Sequence, residues 1–447
     1  MQVLKNNENS IWVIKSTARI LNAENLLNNF ELKFLEFEFN DKELSLTANQ
    51  EVDHQLRFFH NEYAFELINS VVIKLIENNA FFEDIKIIGS NISEYEQFFL
   101  KRIAQLSPYS YWITNGTGII LEKEEVSYAN FRHFQEIGNN YSAKQIGLRL
   151  FTSEKFHNDA NFLKLLSFVF SETGDPFAAV PLLRKVIKTK SLDEITNNAR
   201  TSAMYRLAML LMRELPESFQ NKAEATELLD HAYKKITSKE YKFPEETRLF
   251  AKIFNRNGLA LALFQDNKYN DAINLIKGLI DEIRPLAENN GFAKLHFTVL
   301  HYNLYQLYHA INEIEESEKI IKKVIALDPK DMDYKYDYIL FLFENNRFDD
   351  ARSLLIQMYQ SGIFDFVFNN SYMGYYYIKT GDLVTAEEYC RKAYIYFAEE
   401  GYKDRNKFLY NYLFCLKNNN KIMEMEKLKN RIIDNEFLST EIQGLYE

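Results

Sequence analysis

The chain has 447 residues, 47% of them hydrophobic and 26% charged, with 36 Phe and 28 Tyr against only 7 Pro and 14 Gly. That length leaves room for two or three domains, and this apolar fraction excludes wholesale disorder. A formal net charge of −10 without a long basic run argues against a nucleic-acid partner, whose phosphates are held by Lys and Arg, and against an anionic membrane surface.

The start, Met1 to Glu8, is polar and has no signal-peptide apolar core. No run approaches the roughly 18 apolar residues of a membrane span. A cytoplasmic location is therefore expected. Residues 1–125 then carry strand signals. Ile11-Trp12-Val13-Ile14 is a short apolar run, and Phe30 to Phe39 is aromatic-rich with Asn40-Asp41 as a turn before Glu43 to Leu46. Glu62 to Asn79 has helical periodicity, and Ile85 to Ile88 reads as a strand. Ser93-Glu94-Tyr95-Glu96 reads as a capping box opening a helix through Leu106. Tyr109 to Thr114 and Gly118 to Leu121 flank Asn115-Gly116, a hairpin turn signal. These elements predict a small α/β (α+β) domain of no recognised type, followed by a helical connector over 126–154.

From residue 155 one pattern recurs seven times: a small residue, then apolar residues three, four and seven positions on. It reads Ala179-Leu182-Leu183-Val186, Ala225-Leu228-Leu229-Ala232, Ala272-Leu275-Ile276-Leu279, Ser317-Ile320-Ile321-Val324, Ala351-Leu354-Leu355-Met358 and Ala386-Tyr389-Cys390-Ala393. Met425-Leu428-Lys429-Ile432 is a degraded last copy. This spacing is one face of an α-helix. The first members stand 46, 47, 45, 34, 35 and 39 residues apart, room for two helices and two turns. Upstream stripes, Leu304-Leu307-Tyr308-Ile311 and Met373-Tyr376-Tyr377 among them, supply the other helix. Thr173-Gly174-Asp175, Asp266-Asn267-Lys268, Asn345-Asn346-Arg347 and Thr380-Gly381-Asp382 separate the two, with Gly or Asn for the left-handed residue that closes a helix.

This segment resembles the tetratricopeptide repeat family over about 155–435. His301 to Pro329 carries Leu304, Tyr308, Ser317, Ile321, Val324 and Pro329 at the signature places. Val367 to about Phe397 carries Gly374, Tyr377, Gly381-Asp382, Ala386 and Ala393. Three departures stand out: the first three pitches exceed the family's usual 34, with Leu215-Pro216-Glu217-Ser218 as an inserted loop; the signature Trp is missing; and Met425 and Lys429 suit a capping unit. The expected fold is mostly α, an α-α superhelix or helical-repeat solenoid with the smaller N-terminal α/β domain in front and a tail over 436–447.

No P-loop, Rossmann fingerprint, His-Glu-x-x-His or Cys-x-x-Cys is present, and no cofactor, metal or catalytic residue is assigned. Thr114 to Gly118 is read as a hairpin turn. His54, His60 and Glu62 are read as a solvated helix start, and His133 with Glu136 as a surface pair. The only two cysteines, Cys390 and Cys415, are read as reduced core thiols.

The resemblance implies a superhelix whose first helices line a concave face. The register places Asn257, Tyr302, Asn303, Gln306, His309, Tyr336, Asp337, Tyr372, Tyr375, Tyr410 and Asn411 there. This aromatic, amide-rich set suits a protein or peptide partner held by ring contacts and backbone hydrogen bonds. It lacks the Lys, Arg and Asn pattern that clamps a terminal carboxylate. The alternative for each tyrosine is packing between adjacent units. A binding scaffold or adaptor is thus the expected function. An enzymatic or nucleotide-responsive N-terminal domain, whose substrate the repeats select, stays open, as do a peptide-sensing regulator and a homodimer.

Overall fold

The computed structural model describes residues 2–5, 65, 68–69, 72–73, 85–88, 94–106, 111–114, 125–190, 193–239, 241–361, 366–397, 405–431 and 444–445. The chain divides into two compact units. One comprises Met1–Lys42, Asn69–Ile120 and Pro329–Glu447; the other comprises Glu43–Ile68 and Leu121–Asp328.

Beyond residue 125 the described residues form helices joined by short turns. In the unit that ends at Asp328 these are α2 (Tyr128–Glu136), α3 (Asn140–Phe151), a single turn α4 (Glu154–His157), α5 (Ala160–Glu172), α6 (Pro176–Ile187), α7 (Glu194–Met209), α8 (Lys222–Thr237), α9 (Glu245–Gln265), α10 (Tyr269–Ala287), α11 (Gly291–Ala310) and α12 (Ile314–Leu327). In the unit that begins at Pro329 they are α13 (Met332–Glu344), α14 (Phe348–Ser361), α15 (Phe366–Thr380), α16 (Leu383–Phe397), α17 (Arg405–Asn418) and α18 (Ile422–Arg431). From α5 onward they pack as consecutive pairs, each first helix against the second helix that follows it.

The small residues of the recurring pattern sit where paired helices touch. Ala179, Ala225, Ala272, Ser317, Ala351 and Ala386 are all fully buried, as are the residues four positions on, Leu183, Leu229, Ile276, Ile321, Leu355 and Cys390. Gly374 of α15 shows how tight the approach is: a Cβ there would lie 2.4 Å from Cys390 Sγ and 3.2 Å from the Cys390 amide nitrogen.

The turns inside the pairs share one device. Gly174, Asn267, Asn312, Asn346, Gly381 and Asn420 have φ of 75°, 59°, 59°, 57°, 86° and 58°. In five of these turns the next N–H bonds a carbonyl five residues back: Asp175 to Phe170 at 2.9 Å, Lys268 to Leu263 at 2.9 Å, Glu313 to Tyr308 at 3.0 Å, Arg347 to Leu342 at 2.8 Å and Lys421 to Leu416 at 2.9 Å. The left-handed residue aims that N–H back at carbonyls the helix end would leave unpaired. Side-chain oxygens then open the second helices: Asp175 accepts from the Ala178 N–H, Asn221 from Glu224 and Asp382 from Thr385. The inserted loop is present. The end of α7 widens into a π turn over Leu210–Glu214, and a 3-10 turn over Glu217–Phe219 leads into α8.

The expected N-terminal α/β domain is a correction. Strands β1 (Gln2–Lys5), β2 (Ile85–Ile88) and β3 (Tyr111–Thr114) pair in parallel in that order, with α1 (Glu94–Leu106) between the last two. Each strand has four residues. The parts of the chain they come from are grouped with Pro329–Glu447 rather than by themselves. The described residues therefore support no separate domain over 1–125. Ile11 to Ile14, Phe30 to Phe39, Glu43 to Leu46, the Asn115-Gly116 hairpin turn and the His54, His60 and Glu62 group lie outside the described residues. The connector over 126–154 is helical in α2 and α3, and Glu136 pairs with Arg132 at 3.0 Å.

Candidate binding face of the first helices

Residues three, four and seven apart on a helix share a face. On α9 this puts Phe250, Phe254, Asn257 and Leu261 in one row, and on α11 Phe292, His296, Val299 and Asn303 in another. The two rows meet. Phe250 and Phe292 lie edge to face at 4.7 Å, and Phe254 and His296 at 4.3 Å with rings at 74°. Phe292 closes on His296 from its own helix at 4.3 Å and 87°. Further along, Asn303 Nδ2 donates to Asn257 Oδ1 at 2.7 Å. The partners stand 42 to 46 residues apart, which is one repeat, so α9 and α11 run side by side in the same direction.

Tyr205 of α7 extends the row, its ring edge-on to Phe254 at 6.2 Å. Gly258 permits this, since a Cβ there would lie 2.9 Å from Met209 Cε and 3.0 Å from Tyr205 Cε2. Basic groups between these residues are turned toward second helices. Lys252 pairs with Glu282 of α10 at 2.6 Å. Arg256 bonds the Leu229 carbonyl and Asp230 of α8, both at 3.2 Å, and lies 3.9 Å from the Tyr233 ring centroid. The face that remains is uncharged and half-buried at Phe250, Phe254, Asn257, Phe292 and Asn303.

His296 is the exception. It is 8% exposed, and its Nε2 has no hydrogen-bond partner among the described residues. Burial among phenyl rings pushes its pKa down to about 4, so the imidazole is neutral at pH 7. Burial also raises the Tyr205 phenol. At the other end of the unit, Lys164 of α5 is held down to about 8, by burial and then by the charge of Arg132 on α2.

The residues placed by sequence on this face divide in three. Asn257, Tyr302 and Asn303 are half-exposed, and Gln306 and His309 are exposed, with the His309 ring stacked on Tyr305 at 5.7 Å. In the unit beginning at Pro329, Asp337, Tyr375 and Asn411 are half-exposed and Tyr410 is exposed. Tyr336 and Tyr372 are only 5% and 6% exposed. They pack on each other at 5.6 Å, with Phe368 against both, so they fill the seam between adjacent pairs. The sequence reading missed Phe250, Phe254, Phe292 and His296. Stepping back by three and seven from Asn257, and by seven and eleven from Asn303, reaches all four.

Small buried residues at each helix contact, a repeated left-handed turn and first helices packed on first helices one repeat away define the architecture. The helix pairs are tetratricopeptide-like repeats. No family model matches the chain, and no curated protein does. Among solved structures, a tetratricopeptide repeat protein from Parabacteroides merdae aligns at 15% identity and a TM-score of 0.41, over 66% of this chain and 98% of its own. The human IFIT1 dimer with m7Gppp-AAAA aligns at 12% identity and 0.34, over 94% of this chain and 90% of its own, and the dimer with PPP-AAAA at 13% and 0.34, over 97% and 95%.

One expectation is corrected: the charge of the chain does not exclude nucleic acid as a partner class, and the aligned IFIT1 structures are of complexes with m7Gppp-AAAA and PPP-AAAA. Net charge of a whole chain does not set the field at one face, and Lys164, held down to about 8 by burial and the nearby Arg132 charge, is a local basic group in a chain of net charge −10, while Arg132 itself pairs with Glu136. Among the described residues no helix is long and apolar enough to cross a membrane.

Proposed function

We propose that the tetratricopeptide-like repeats over 155–435 form a scaffold that holds a protein partner by an extended peptide segment, with 126–154 as connector and 436–447 as tail. The observation that carries this reading is the Asn257–Asn303 hydrogen bond across α9 and α11. It leaves Asn257 Nδ2 as a donor and Asn303 Oδ1 as an acceptor on adjacent helices, with no other partner among the described residues. A peptide unit offers the complementary C=O and N–H. The uncharged aromatic surroundings favour a chain segment over a highly charged ligand.

Selection of a displayed random-peptide library on the immobilised full chain tests this, with an Asn257→Ala/Asn303→Ala variant in parallel. Peptides enriched by the wild-type chain and lost on the variant support it. Equal enrichment on both would remove the amide pair from the account. A second reading takes an anionic partner, RNA included, at Lys164, because a half-buried lysine with no acidic partner among the described residues has already lost much of its hydration and gains from a neighbouring negative charge. A random single-stranded RNA pool forms the parallel arm. Enrichment of RNA alone, lost with Lys164→Ala, favours that reading over the first.

A further inference from the structure

The amide pair does not account for the rings above it. Phe250, Phe254 and Phe292 surround a neutral histidine whose Nε2 lies buried without a partner among the described residues. A buried polar atom of this kind is expensive unless something satisfies it. The three phenylalanines offer only ring faces and edges. The two basic side chains in the same stretch of α9, Lys252 and Arg256, are already held by Glu282 and Asp230, which leaves neither of them open to a phosphate or carboxylate.

We propose that these four residues form the seat for a tyrosine side chain of the bound segment. This rests on the peptide-binding reading above and names the residue that anchors the peptide. A tyrosine presents an apolar ring with one hydroxyl at its tip, matching aromatic walls that contain one hydrogen-bonding atom. The ring packs edge to face with Phe254 and Phe292, and its O–H pairs with His296 Nε2. The spacing agrees. His296 and Asn303 are seven residues apart on α11, about 10 Å along the helix axis. An extended peptide advances about 3.3 Å per residue, so a tyrosine at His296 puts the backbone three residues away at the amide pair.

The test uses the peptide library and the full chain. Selected peptides share one tyrosine position. In a selected peptide, changing that tyrosine to phenylalanine weakens binding to the wild-type chain by about tenfold, the value of one well-made hydrogen bond to a desolvated partner. The same peptide change has no effect on a His296→Phe chain, and His296→Phe does not weaken the phenylalanine peptide. Selected peptides without a shared aromatic position, or a tyrosine-to-phenylalanine change felt equally by both chains, would overturn the seat. Those results leave the scaffold standing as long as binding still fails on Asn257→Ala/Asn303→Ala. The peptide-side change on the wild-type chain gives the answer even where the His296→Phe chain does not fold. Selection of RNA and no peptide overturns both inferences.

Discussion

Replacing His296 by phenylalanine removes a pH dependence that the wild-type chain carries. Burial holds the folded-state pKa near 4, against 6.5 for an exposed histidine. Above pH 6.5 the ring is neutral in both states and the stability of this region is fully present. As pH falls below 6.5 the unfolded chain takes up a proton that the folded chain refuses until about pH 4, so stability is lost across that window. At about 1.36 kcal/mol per pKa unit the whole window amounts to roughly 3 kcal/mol, of which about 2 kcal/mol is gone by pH 5. Phenylalanine keeps the edge-on ring contacts and carries no proton. Urea denaturation of both chains at pH 7 and pH 5 measures the effect. The difference in unfolding free energy, variant minus wild type, grows by about 2 kcal/mol from pH 7 to pH 5, and carboxylates common to both chains cancel. An unchanged difference would show that His296 is hydrated or paired in solution, and would remove the orphaned nitrogen on which the tyrosine seat depends.

Gly374→Ala drives a Cβ to within 2.4 Å of Cys390 Sγ and lowers stability by about 1–3 kcal/mol in denaturant titration; adding Cys390→Ala recovers part of the loss. Asn346 has φ 57°, so Asn346→Ala costs about 1 kcal/mol while Asn346→Gly is neutral or stabilising. Lys164, held down to about 8, is acylated by an amine-reactive ester at a half-maximal rate near pH 8. Peptide mapping by mass spectrometry across a pH series reads the acylation of Lys164.

The repeats were legible because each rests on a local signal with one physical solution. A fully buried Ala272 or Ala386 admits no larger side chain, and Gly174 or Asn346 is the residue type that tolerates a positive φ. The same turn recurs at Asn312 and Asn420, where an asparagine carries the same signal. Tyr336 and Tyr372 were harder. Exposed and seam positions on a first helix differ by one step of the helix, and either place suits a tyrosine, which has an apolar body and a polar tip. His296 escaped because α9 and α11 have 21 and 20 residues. Asn257, Tyr302 and Asn303, which set the face register, all lie in the C-terminal halves of these helices. Its orphaned nitrogen depends on Phe250 and Phe254, more than 40 residues away in sequence. The parallel pairing of Gln2–Lys5 with Ile85–Ile88 is non-local in the same way, and no pattern in a polar leading segment announces it.

Photocross-linking tests the central claim most directly. A photoreactive phenylalanine is placed at Tyr302, on the first-helix face, or at Lys319, exposed on the second helix α12, and irradiated with a peptide selected by the full chain. Cross-linking at position 302 and none at 319 is the predicted result; cross-linking at 319 with none at 302 would put the partner on the opposite side of the helix pairs and contradict the account.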